Sequence, residues 1–220
     1  MIIDSNDLMN SIMESLSRIE HIKPEEIPGI DLYMDQVTTL MDSKLKTTTR
    51  YPGEDKVLTK TMINNYAKND LLPPPVKKKY SKEHVLLLIF IYYYKGILSI
   101  NDIQTLLKPI TDKYFNVEGG VTLQDIYEEV FGMEDEEIES LKEDVKKKYS
   151  MTQETFSEVS GEDGEFLRQF SFICMLSYDV YVKKLIIEKM IDEMRSKQEA
   201  VAQKSEKKDK DKDKDKEKDK

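Results

Sequence analysis

Ten consecutive residues, VLLLIFIYYY at positions 85–94, carry no charge and no structure-breaking residue. A surface helix cannot hold such a run, because its apolar residues recur only at every third or fourth position. The run is also far shorter than the roughly 20 residues that a membrane span needs. It therefore predicts a helix buried on nearly all sides, with Ser81 as its N-cap and Gly96 as its stop, and the rest of the chain must cover it.

The covering segments read as helices too. Charged residues make up 35% of the 220-residue chain, Gly is scarce, and strand-type alternation is absent, so the expected class is all-α with one main core. An amphipathic helix is predicted over 7–20 from Leu8, Met9, Ile12, Met13, Leu16 and Ile19. A second is predicted over 31–45 from Tyr33, Val37, Leu40, Met41 and Leu45. Thr59 should cap a short helix, TKTMINNYAK, with Met62, Ile63 and Tyr66 inward. Pro73, Pro74 and Pro75 should stop it. Ser99 with Asp102, and Thr122 with Asp125, form S/T-x-x-D starts for two later helices, the first of which Pro109 is expected to close. An acidic helix with Ile138, Leu141, Val145 and Tyr149 inward follows, then a long final helix from about 164 to 195. The last stretch, KSEKKDKDKDKDKEKDK, has nothing to bury and is expected to be disordered. The expected organisation is an arm and linker at 1–30, a central unit at 31–108, a helical partner domain at 109–195 and a tail at 196–220.

Function classes narrow by chemistry. Cys174 is the single cysteine, so no intramolecular disulfide forms, and with the acidic N-terminus MIIDSNDL the expected setting is cytoplasmic, with no membrane segment. Two histidines and one cysteine, all distant in sequence, give no metal signal, and no phosphate loop, dinucleotide fingerprint or nucleophile elbow is present. The expectation is a non-enzymatic protein without cofactor.

Charge distribution says more than the net of -9. Residues 44–84 hold ten Lys and Arg against four acids, a basic island in an acidic protein. Within it, Lys60, Thr61, Asn64, Asn65 and Lys68 share the outer face of the short helix. That face is polar and free of acids, as a helix in the DNA major groove needs to be, with Asn able to pair with adenine edges. Lys77, Lys78 and Lys79 on the stiff turn behind it suit a clamp on phosphates. Considered alone, a three-lysine run is most often only a solvated turn.

The segment TMINNYAKNDLLPPPVKKKYSKEHVLLLIFIYYYKGILSINDIQTLL resembles the winged helix-turn-helix of MerR-type transcription regulators. There, a recognition helix bearing a Tyr is followed by Leu-Leu-Pro-Pro, a basic wing ending in Tyr-Ser, and a helix closed by Gly. Tyr66, Leu71, Leu72, Pro73, Pro74, Lys78, Tyr80, Ser81, Gly96, Ser99, Ile100 and Ile103 fall in those places; Asn64 and Asn65 stand where Arg and Tyr are usual. The chain also looks like the bacterial family called domain of unknown function 1836, over roughly residues 7–195. The MerR resemblance implies a transcriptional regulator bound to double-stranded DNA through Lys60, Thr61, Asn64, Asn65, Tyr66, Lys68, Lys77, Lys78, Lys79 and Tyr80. It also implies a homodimer through the helix at about 164–195, although burial of that helix within one chain is an equal expectation. No residue announces an effector. The alternative is a protein-interaction adaptor that keeps the winged fold without reading DNA.

Overall fold

The computed structural model describes residues 5–17, 19, 21–51 and 54–218. Eight α-helices and one two-stranded ribbon make up the described chain: α1 (Ser5–Leu16), β1 (Leu32–Tyr33), α2 (Met34–Leu45), α3 (Lys60–Lys68), β2 (Lys79–Tyr80), α4 (Lys82–Tyr94), α5 (Ile100–Tyr114), α6 (Leu123–Phe131), α7 (Glu134–Gln153) and α8 (Gly161–Lys218).

Helix α4 is the hub. Every residue from His84 to Ile91 is buried, as the uninterrupted apolar run requires. Cover comes from Val37, Met41 and Leu45 of α2, Ile63 and Tyr66 of α3, Ile103 and Leu107 of α5, Leu123 and Tyr127 of α6, and Ile191 of α8. Truncating one of the buried leucines to Ala is worth about 2–5 kcal/mol in a core packed like this. The linker after α1 also joins the core. Tyr127 Oη donates to the Ile22 carbonyl at 2.7 Å, and His21 stacks on Phe131 at 5.4 Å.

The predicted caps form. Thr59 Oγ1 accepts the Met62 amide, Ser99 Oγ accepts the Asp102 amide and Thr122 Oγ1 accepts the Asp125 amide, each at 3.2 Å. At Ser81 the partner is His84, whose Nδ1 accepts the Ser81 amide at 3.0 Å.

Four expectations need correction. Pro109 does not close α5, which continues to Tyr114, so the expected boundary at 108/109 falls inside one helix. The amide that proline lacks is replaced by a side chain, since Gln198 Nε2 donates to the Thr105 carbonyl at 3.1 Å. The three prolines do not stop α3; Asp70 does so first, in the left-handed region at φ 54°, with the Leu71 and Leu72 amides folded back onto the Tyr66 carbonyl. Met62 is exposed rather than inward, because only Ile63 and Tyr66 fall on the face that meets the core. Finally, α8 runs as helix through Lys218 across the stretch expected to be disordered. The remaining tail residues, 219 and 220, lie outside the described chain.

Helix α8 is covered on one side only. Phe172 packs edge-on against Tyr149 of α7 at 5.4 Å, Lys148 pairs with Asp179, and Ile191 reaches the core. The turn from α7 into α8 is tight. A Cβ at Gly164 would stand 2.1 Å from the Val159 carbonyl oxygen, so the position requires glycine. Phe166, Phe170, Ile173, Val180, Tyr181, Leu185, Ile186 and Met190 are all more than half exposed.

Candidate nucleic-acid interface

Helix α3 is held firmly at its C-terminal end. The Asn69 amide and its side-chain Nδ2 both donate to the Asn65 carbonyl, and Gln104 Nε2 of α5 donates to the Asn69 carbonyl at 3.1 Å. Its outer face presents Lys60, Thr61, Asn64, Asn65 and Lys68 to solvent, and none of these five is acidic. Lys60 is paired with Asp35 at the start of α2. No local pattern marks that carboxylate as a partner, since 25 residues separate the two.

Eight residues beyond Lys68 the chain makes a hairpin. The Val76 amide donates to the Lys79 carbonyl at 3.0 Å and the Lys79 amide to the Val76 carbonyl at 2.9 Å, which leaves Lys77 and Lys78 as the two central residues. Both have positive φ, 51° and 65°, as the primed turns of tight hairpins demand. Such turns favour Asn-Gly because neither loses much in the left-handed region; a pair of lysines there is strained, at about 1–3 kcal/mol per residue. Lys79 then pairs with Tyr33 and Tyr80 with Leu32, antiparallel, in the β1–β2 ribbon.

The ribbon separates the predicted site residues into two groups. Lys77 and Lys78 are exposed at the tip. Lys79 is half-buried, with Nζ 5.2 Å from the centre of the Tyr33 ring, which gives its charge a neighbour within the protein. Tyr80 is 2% exposed and Tyr66 is 7% exposed, and burial raises the pKa of each phenol. Both are core residues beneath the surface, so neither can lie against DNA, and the resemblance places them wrongly at the interface. Tyr33, 54% exposed beside Lys79, is a surface aromatic that helical periodicity turns inward. It sits in β1, where alternation rather than a 3.6-residue repeat decides the direction.

Beneath the ribbon, His84 is buried between Tyr80 and Phe115, with ring centres at 5.5 and 4.8 Å. Burial lowers its pKa, while the Pro74 and Pro73 carbonyls and the Asp31 charge pull the other way. Among the described residues no group of three or more His, Cys, Asp or Glu could hold a metal ion, and no helix is long and apolar enough to cross a membrane.

The molecule thus belongs to the mostly helical proteins, with a buried central helix and a small basic hairpin. Residues 22–130 match the model of the family described as Domain of unknown function (DUF1836), which supports the likeness to that family over this segment. The matched stretch takes in β1 through nearly all of α6 and stops before α7 and α8, and so is narrower than the span read from the sequence. No curated protein and no solved structure matches the chain.

Proposed function

We propose that the protein is a DNA-binding regulator of transcription built on a MerR-like winged helix-turn-helix, with α3 in the major groove and the hairpin tip on phosphates. The observation that carries this reading is the hairpin turn itself. A chain that places two lysines where Asn-Gly would be relaxed accepts strain in order to keep two positive charges at an exposed tip. The acid-free outer face of α3, with Asn64 and Asn65 in reach of base edges, adds a reading element to the clamp.

The same reading includes a homodimer through α8, whose uncovered apolar residues supply a surface and whose pairing doubles the half-sites. Its chemistry is binding rather than catalysis.

The test is a salt titration of binding to duplex DNA. Lys77→Ala with Lys78→Ala is expected to weaken binding and to flatten the slope of log K against log salt by about 0.9 for each phosphate that is no longer neutralised. An unchanged affinity and slope would reject the clamp.

A second reading, a protein-interaction adaptor that does not read DNA, draws support from two observations. Lys60 is already paired with Asp35, and the uncovered side of α8 carries apolar residues such as Phe166, Ile173 and Val180. Retention of a partner protein at physiological salt, together with DNA affinity no better than the micromolar non-specific level, would favour it.

A further inference from the structure

Beside the central helix lies a cavity of about 860 Å³, walled by α1, by the turn that follows α2 and by the C-terminal end of α4. That volume falls within the range of small-molecule sites. Ile12 and Leu16 of α1 form one side and remain only half-buried, because this part of the helix lies over the cavity instead of over packed side chains.

The other end is polar. Thr48 Oγ1 and Tyr92 Oη share a hydrogen bond of 2.6 Å. Lys95 lies beside them, its Nζ 4.8 Å from the centre of the Tyr92 ring and bonded to the Val57 carbonyl. Among the described residues no carboxylate pairs with Lys95. A half-buried ammonium whose neighbours are a neutral carbonyl and a ring face is left with uncompensated charge, and burial lowers its pKa accordingly. An anion arriving in the cavity would supply the missing charge and accept from the ammonium hydrogens that Val57 leaves free, whereas Thr48 Oγ1 already donates to the Leu45 carbonyl at 2.7 Å and Tyr92 Oη to Thr48 Oγ1.

We propose that this cavity binds an amphipathic monocarboxylate, with the carboxylate on Lys95 and an alkyl body along Ile12 and Leu16. A single cation suits one negative charge, and the aliphatic wall suits a chain. A lipid phosphate with two charges would need more donors than this end offers. The inference does not depend on DNA binding and can fail or hold by itself.

Calorimetric titration of the full chain separates the terms, with octanoate and 1-octanol as probes of equal chain length. The expected result is one octanoate per chain, bound at least tenfold more tightly than octanol. Lys95→Gln should remove that preference and leave octanol unchanged, Lys95→Arg should retain it, and Ile12→Asn should weaken both probes. Equal binding of the two probes, no octanoate binding at millimolar concentration, or an octanoate preference that survives Lys95→Gln would overturn the proposal. If Lys95→Gln does not fold, the comparison of the two probes on the wild-type chain and on Lys95→Arg decides.

Discussion

Gln198 Nε2 donates to the carbonyl of Thr105 at 3.1 Å, and that carbonyl is the one Pro109 leaves without an amide donor four residues on. One side chain of α8 thereby repairs α5. Arg195, one turn earlier, adds a 2.6 Å bond from Nη2 to Asp102 Oδ1 and a 3.4 Å bond from Nε to Thr105 Oγ1. Asp102 is in consequence held below the usual carboxylate range, first by the Ser99 hydroxyl and then by Arg195.

Gln198→Ala should therefore destabilise the fold by about 1 kcal/mol, the ordinary worth of a hydrogen bond whose acceptor is left behind. Pro109→Ala restores the backbone donor. In that background the same Gln198 change should cost less, giving a coupling of roughly 0.5 kcal/mol or more in a double-mutant cycle followed by urea unfolding. Additive effects would mean that the Gln198 bond does not compensate for the proline.

The hairpin tip allows stability and binding to be moved in opposite directions. Lys77→Asn with Lys78→Gly installs the residues that a primed two-residue turn prefers, and should raise stability by about 1 kcal/mol in urea unfolding. DNA affinity should fall at the same time, with a flatter salt slope. A variant that is more stable and equally tight on DNA would leave the strain unexplained by phosphate binding.

What can be read in the sequence divides by range. Thr59, Ser99 and Thr122 announce their helices because a cap is decided within four residues, and the run at 85–94 announces the hub because no other placement hides it. Tyr66 and Tyr80 are misplaced by the resemblance because it gives order along the chain but not the direction of a side chain. Met62 and Tyr33 are misplaced by periodicity because one turn or one strand residue rotates a face. The continuation past Pro109 is illegible for a different reason: its donor, Gln198, comes from 89 residues away. The pairing of Lys60 with Asp35, and the pairing of Lys79 with Tyr33 in the ribbon, are likewise tertiary facts that no local window contains.

The uncovered side of α8 predicts association. Phe166, Ile173 and Val180 recur every seven residues, with Phe170 set between the first two, which is the spacing of a seam between paired helices. Sedimentation equilibrium should show a dimer whose dissociation depends on concentration. Ile173→Glu, at a residue 60% exposed in the single chain, should yield a folded monomer with nearly unchanged helicity. If the wild-type chain is monomeric throughout the micromolar range, the dimer part of the proposed function fails.

His84 should make stability fall on mild acidification. Its Nδ1 accepts the Ser81 amide, so the neutral ring carries its hydrogen on Nε2, and protonating Nδ1 would replace an acceptor by a second donor facing that amide. Around it stand the rings of Tyr80 and Phe115, the Ser81 hydroxyl at 2.8 Å, and the more distant charge of Asp31, so burial prevails and the folded-state pKa lies below the ordinary value near 6.5. The unfolded chain therefore binds the proton more readily than the folded one. Stability is complete above about pH 6.5 and declines as pH falls below it towards the folded-state value. Carboxylates with lowered pKa, such as Asp102, begin to lose their contribution only near their own ordinary value of 3.8, which leaves the interval between to His84. His84→Gln keeps an acceptor for the Ser81 amide in the S-x-x-Q pattern and removes the titration. Melting temperatures taken from pH 7.5 to 5.5 should drop in the wild type and stay level in His84→Gln; parallel curves would assign the pH dependence to other groups.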